Sequence, residues 1–134
     1  MRICRSMRGD MKMTIVCVDD HSIMLEGLLN NIQQILPDAN THAFLSVDEA
    51  LAFIKENGCD VLICEIELCG ADGTTFAAKT QEFNPKVNII FHTVCDEREH
   101  AREVLKLKPS AYLVKPAKKE QFEMELMNLR YQVS

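Results

Sequence analysis

The chain has 134 residues, 47% of them hydrophobic, with a formal net charge of −5 and a pI of about 5.3. That length suits one domain with a core of its own, the apolar content excludes a disordered chain, and the acidic balance argues against nucleic acid or anionic lipid as a direct partner. No stretch approaches the ~20 apolar residues of a membrane span, and the basic start, Met1 to Asp10, has no apolar run of signal-peptide length, which makes the cytoplasm the expected compartment.

Residues 1–12 read as a flexible tail, with Met11 and Met13 as alternative starts, ahead of a single domain at 13–134. A first apolar run, Ile15-Val16-Cys17-Val18, predicts a strand that ends in Asp19-Asp20. A helix near 22–36 follows, with Met24, Leu28, Ile32 and Ile35 at helical spacing and Pro37 as its stop. The second strand falls near 40–45. Ser46 and Glu49 form a capping-box pattern that opens the next helix, whose Ala50, Leu51 and Ile54 face inward and which Gly58 ends. The third strand, 61–64, runs into Glu65, and a turn at Gly70-Ala71-Asp72-Gly73 leads to a helix near 74–82. The fourth strand, 87–92, ends in Thr93. Asp96 and Glu99 again match a cap, for a helix that runs to about 107 and is closed by Pro109. The fifth strand, 111–114, ends in Lys115-Pro116. The last helix, about 118–131, carries Phe122, Leu126 and Leu129 on one stripe.

Five βα units predict a doubly wound five-stranded parallel sheet with helices on both faces, in the flavodoxin-like order 2-1-3-4-5. In such sheets, ligands and chemistry sit just outside the carboxyl ends of the strands. The acids at 19, 20 and 65, the Thr93 hydroxyl and the Lys115 ammonium are therefore expected to converge on one pocket. For an isolated pair, Asp19-Asp20 would read as acids favoured by the dipole of a helix start; four strand ends in register favour a site. The six cysteines, at 4, 17, 59, 64, 69 and 95, do not read as a disulfide framework. Cys59, Cys64 and Cys69 span a turn, a strand and a loop, unlike the paired short spacings of zinc sites. Cys69 and Cys95 fall in loops beside the expected pocket.

This pattern resembles the receiver domain of two-component response regulators, the CheY-like fold, over roughly residues 13–131. The resemblance implies that the acids at 19 and 20 bind Mg²⁺, together with the side chain of Glu65 and the backbone carbonyl of Glu67. It implies that Thr93 is a switch hydroxyl coupled to an aromatic at Tyr112, and that Lys115, before a cis Pro116, contacts the phosphoryl group. It also places a phosphoacceptor Asp at the end of the third strand, and there this chain has Glu65. One extra methylene moves the carboxylate by ~1.5 Å, and a displacement near 1 Å costs on the order of 100-fold in rate. Two further departures point the same way. Val94 follows the switch Thr where the family commonly has a small residue, and so narrows the donor's path. Cys69 stands where a Pro usually precedes the loop Gly.

Residues 19–27 (DDHSIMLEG) are similar to receivers joined to helix-turn-helix regulators. Residues 88–93 (NIIFHT), 106–116 (KLKPSAYLVKP) and 125–131 (ELMNLRY) are similar to receivers of LytTR-type regulators. The leading expectation is an atypical stand-alone receiver that meets a sensor histidine kinase or a downstream signalling protein. A homodimer through the face of the fourth helix, fifth strand and fifth helix belongs to that expectation, with Arg98, Arg102, Lys106 and Lys108 exposed there. The alternatives are a phosphorylatable receiver, with Glu65 or Asp20 as acceptor, and the receiver part of a DNA-binding regulator. A Mg²⁺-dependent hydrolase is disfavoured, since the acids lack Asp-x-Asp spacing and no phosphate-cradling Gly loop is present.

Overall fold

A computed structural model describes residues 13–133; the tail read at 1–12 lies outside the described residues. The chain runs β1 (Thr14–Val18), α1 (Ser22–Ile35), β2 (Asn40–Phe44), α2 (Val47–Asn57), β3 (Val61–Cys64), then a short ribbon of β4 (Glu67–Leu68) and β5 (Ala71–Asp72). It continues with α3 (Gly73–Phe83), β6 (Asn88–Thr93), a 3₁₀ turn (Glu97–His100), α4 (Ala101–Leu107), β7 (Ala111–Val114) and α5 (Lys119–Leu126). The five longer strands form one sheet in the order β2-β1-β3-β6-β7, with every pair parallel. Counted over those five strands, this is the expected order 2-1-3-4-5.

The sheet is buried on both faces, as parallel sheets are. Alternate residues of the central strands feed two cores. Val16, Val18, Leu62, Cys64, Ile89 and Phe91 pack against Ala50 and Ile54 of α2, Phe76 and Ala77 of α3 and Val104 and Leu107 of α4. Ile15, Cys17, Val61, Ile63 and Ile90 pack against Leu25, Leu28 and Ile32 of α1 and Phe122 and Leu126 of α5. The stripe on α1 is centred one residue from the expected one: Leu25 is buried, while Met24 and Ile35 are only partly covered.

Caps fix the helix starts. Ser46 accepts from the Asp48 amide, and Asp72 Oδ1 accepts from both the amide and the hydroxyl of Thr74. The Asp96–Glu99 capping box forms, but its first turn is 3₁₀ before α4 proper begins. The last helix is shorter than its apolar stripe predicts, ending at Leu126 instead of about 131. The reason lies 43 residues away in sequence, at Asn88. Its side-chain oxygen accepts from the Tyr131 amide at 2.6 Å and its side-chain amide donates to the Tyr131 carbonyl at 2.8 Å. That pairing draws the chain off the helix, while Leu129 still packs against the second core.

Candidate functional site

The carboxyl ends of β1, β3, β6 and β7 bring Asp19, Glu65, Thr93 and Lys115 together. Parallel pairing sets the levels: the Glu65 amide donates to the Val18 carbonyl, and the Lys115 amide donates to the Thr93 carbonyl. At the centre is a buried ion triad. Lys115 Nζ lies 2.6 Å from Asp19 Oδ2 and 2.8 Å from Glu65 Oε1. The ammonium side chain is 4% exposed and each carboxylate 2%. Burial disfavours the charged lysine, but the hydrogen bonds to the two carboxylates outweigh it and raise the Lys115 pKa above its ordinary value.

The second oxygen of Glu65 turns back onto its own backbone. Oε2 accepts from the Ile66 amide at 2.7 Å and from the Glu67 amide at 3.2 Å. A carboxylate with both oxygens held by charged or amide donors is well satisfied. Gly73 makes room for this strand end: a Cβ there would lie 2.0 Å from the Glu65 carbonyl oxygen and 2.8 Å from Ile66 Cα. The Gly73 amide meanwhile donates to the Ile66 carbonyl. Between Glu65 and Gly73 the β4–β5 ribbon turns at Gly70, whose φ of +72° is a left-handed value that suits glycine.

Neither acid after β1 caps α1 with its side chain; the N-cap is His21. Asp19 Oδ1 accepts from the His21 amide at 2.9 Å, and Asp20 Oδ2 reaches across to accept from the Cys69 amide at 2.7 Å. Asp20 Oδ1 is buried and has no hydrogen-bond partner among the described residues; His21 Nδ1 stands 3.1 Å away but outside hydrogen-bond geometry. An orphaned buried carboxylate oxygen is costly unless a cation or water meets it. Mg²⁺ asks for hard oxygen ligands and keeps several waters. Asp20 fits that demand through its orphaned oxygen. Asp19 and the Glu65 side chain, named with it from the sequence, each have both oxygens in hydrogen bonds within the protein, so either meets an ion by sharing or giving up a partner.

Thr93 is fully buried, and its hydroxyl accepts from the Cys95 amide at 3.1 Å. The Tyr112 hydroxyl donates to the Cys95 carbonyl at 2.9 Å, and its half-buried ring leans on Phe91. Both expected switch residues thus grip the backbone of Cys95. Val94, between them in sequence, is 65% exposed. The Lys115–Pro116 peptide is cis.

Three residues near the site carried no role in the sequence reading. His21 was signalled only by its adjacency to the acids. His92 was absorbed into a strand; it is buried edge-on to Phe122, and burial first, then the Lys115 charge, lower its pKa to about 4. Cys95, expected in a loop beside the pocket, is buried, and burial pushes its thiol pKa up.

The fold and this cluster define a class: a flavodoxin-like module with acids, a hydroxyl and an ammonium at the carboxyl ends of its parallel strands. The chain belongs to the response regulator receiver family, whose domain description, "response regulator receiver domain", matches residues 15–126. It is 30% identical over 108 residues to the transcriptional regulatory protein ZraR of Salmonella typhimurium, an alignment covering 78% of this chain and 23% of that one. It is 30% identical over 112 residues to the oxygen regulatory protein NreC of Staphylococcus haemolyticus, covering 81% and 51%. The chain therefore spans between about a quarter and a half of these relatives' lengths. A CheY-like receiver domain from Methanospirillum hungatei superposes with a TM-score of 0.79 at 20% identity, over 87% of this chain and 91% of that one. The BeF₃-activated receiver domain of DrrB superposes with a TM-score of 0.76 at 20% identity, over 87% and 96%; these two likenesses show the fold.

Receiver domains bind Mg²⁺ at the phosphorylation site and interact with histidine kinases and downstream effectors; they are typically signalling domains without enzymatic activity. Among the described residues no helix is long and apolar enough to cross a membrane.

Proposed function

We propose that this is an atypical receiver that passes signals through protein contacts and is not normally phosphorylated at the end of its third strand. One observation carries the reading. Glu65 stands at the acceptor position with one oxygen on Lys115 and the other on the Ile66 and Glu67 amides. In-line attack on a phosphoryl donor needs a free carboxylate oxygen aimed out of the pocket. Freeing one here means breaking a charge-assisted hydrogen bond, at about 1.5–3 kcal/mol, on top of the misplacement that the extra methylene brings.

Asp19 and Asp20, with the Glu67 carbonyl, are the groups we assign to Mg²⁺. When bound, the ion would offset their charge and polarise the oxygens of a phosphoryl donor. Thr93, Tyr112, Lys115 and Pro116 keep the family's switch positions, and Val94 narrows the approach. The partners that suit this reading are a sensor histidine kinase or a downstream signalling protein, in the cytoplasm, with a second copy as a further partner through the α4-β7-α5 face. The acidic net charge of −5 argues against direct nucleic-acid binding. No activity as an enzyme is assigned.

The test is intact mass after incubation with phosphoramidate and Mg²⁺, on wild type and Glu65→Asp together. The expected result is a phosphoryl adduct on the Asp variant alone. An adduct on the wild type would refute the reading and restore a phosphotransfer role.

A further inference from the structure

We propose that the side chains of Glu67, Cys95, Glu99 and His100 form a second metal site, for a borderline transition ion of the Zn²⁺ kind, which ties the switch loop to the loop after β3. One ligand atom from each of the four lies within 4.8 Å of the other three. Tetrahedral zinc with bonds of about 2.0–2.3 Å spaces its ligand atoms roughly 3.3–3.8 Å apart. The four groups therefore need to close by about 1 Å. Glu67 and Glu99 are exposed, so rotation of their side chains supplies that closure.

The donor set separates this site from the acids after β1. Asp19 and Asp20 offer carboxylate oxygens, the choice of Mg²⁺, whereas a thiolate with an imidazole selects zinc-like ions. The site also uses the Glu67 side chain, not its carbonyl. Cys95 is 2% exposed, so its sulfur is presented to the other three ligands from the protein interior. Glu99 uses one oxygen to accept from the Asp96 amide in the capping box, which leaves the other for the ion. Binding displaces the Cys95 thiol proton to solvent as the sulfur–metal bond forms, and the dication offsets the charge of the thiolate.

The consequence follows from what holds Cys95. Its amide donates to the Thr93 hydroxyl and its carbonyl accepts from the Tyr112 hydroxyl. An ion on its sulfur would fix the one residue that both switch side chains grip, and so would bias the loop by metal occupancy. This inference does not depend on whether Glu65 accepts a phosphoryl group, so the labelling test above and the metal test below fail separately.

The experiment is competition for Zn²⁺ between the full chain and a chromophoric chelator, with Co²⁺ as a second probe for a thiolate-to-metal charge-transfer band. Wild type and Cys69→Ser, which alters only an exposed cysteine, should each bind one ion and give the band. Cys95→Ser should abolish the band, and Cys95→Ser, His100→Ala and Glu67→Gln should each weaken Zn²⁺ binding at least about tenfold, since loss of mere supporting partners costs 10–100-fold. Circular dichroism checks folding; if Cys95→Ser does not fold, His100→Ala and Glu67→Gln decide. Binding that is absent, that survives His100→Ala and Glu67→Gln, or that is lost in Cys69→Ser would overturn the proposal.

Discussion

Replacing Lys115 by methionine keeps an unbranched side chain one atom shorter and removes its charge. The two carboxylates it joins are each 2% exposed. The sum of the two ion-pair lengths, 2.6 and 2.8 Å, is the furthest apart that Asp19 Oδ2 and Glu65 Oε1 can lie. At about 5.4 Å, with an effective dielectric constant near 20, two like charges repel by roughly 3 kcal/mol. Removing one member of a buried ionic cluster costs about 3–5 kcal/mol by experience with other proteins. The two figures agree, so Lys115→Met should lose about 3–5 kcal/mol. With a urea slope of about 2 kcal/mol per M, the midpoint falls by roughly 2 M. Urea titrations followed by circular dichroism at pH 7 measure it. The double variant Lys115→Met, Glu65→Gln should recover at least half of the loss, because the repulsion goes with the second charge. In the wild type the sign of the linkage is fixed by the raised Lys115 pKa. Its contribution is complete below the unfolded-state value near 10.4 and fades only as pH rises through the folded-state value above it. A loss under about 1 kcal/mol, or a double variant no more stable than the single, would refute the reasoning.

His92 gives the opposite pH dependence. Its folded pKa of about 4 lies below the ordinary 6.5, so its contribution is complete above pH 6.5 and is lost as pH falls from 6.5 towards 4, by up to about 3 kcal/mol. His92→Leu should flatten that part of the pH–stability curve measured by urea titration, with Lys115, Asp19 and Glu65 as the charged neighbours left in place. Gly73→Ala should cost at least about 2 kcal/mol, because the new Cβ meets backbone atoms of Glu65 and Ile66. Gly27→Ala, within α1 and with nothing inside 4 Å, should instead gain up to about 1 kcal/mol; thermal melts of the two variants side by side check both signs.

The fold was legible because local signals agreed with one another. Each buried strand ended in a polar residue, Ser46 and Asp96 announced helix starts, and Gly58 ended α2 at a positive φ of 80°. What was not legible depends on partners distant in sequence. The apolar stripe through Leu129 is helical in period, yet Asn88 takes the Tyr131 backbone and stops the helix early. The two-residue strands β4 and β5 are too short to show a period at all. Within the site, strand ends were enough to bring Asp19, Glu65 and Lys115 together. The direction of the Glu65 carboxylate was not readable, because it rests on one rotamer choice between the pocket and two amides of its own turn. Cys95 illustrates the same limit: a loop position in sequence, it is covered because Tyr112 and Thr93 fasten its backbone from neighbouring strands.

That rotamer choice makes the acceptor position and the stability of the pocket one problem. Glu65 spans from the strand end to Lys115 with one oxygen while the other returns to the Ile66 and Glu67 amides. Aspartate, shorter by ~1.5 Å, cannot keep both sets of bonds without moving Lys115. Glu65→Asp should therefore lose about 1–3 kcal/mol, the cost of one charged hydrogen bond left unmade, even as it frees an oxygen to face the pocket. Mg²⁺ then has a third carboxylate to engage beside Asp19 and Asp20. A ligand that binds only the folded state stabilises it by mass action, so Mg²⁺ should raise the melting temperature of Glu65→Asp more than that of the wild type. Thermal melts of both proteins with and without Mg²⁺ measure each part. If Glu65→Asp is as stable as the wild type without Mg²⁺, the folded-back carboxylate contributes nothing, and the argument that it silences the acceptor position fails with it.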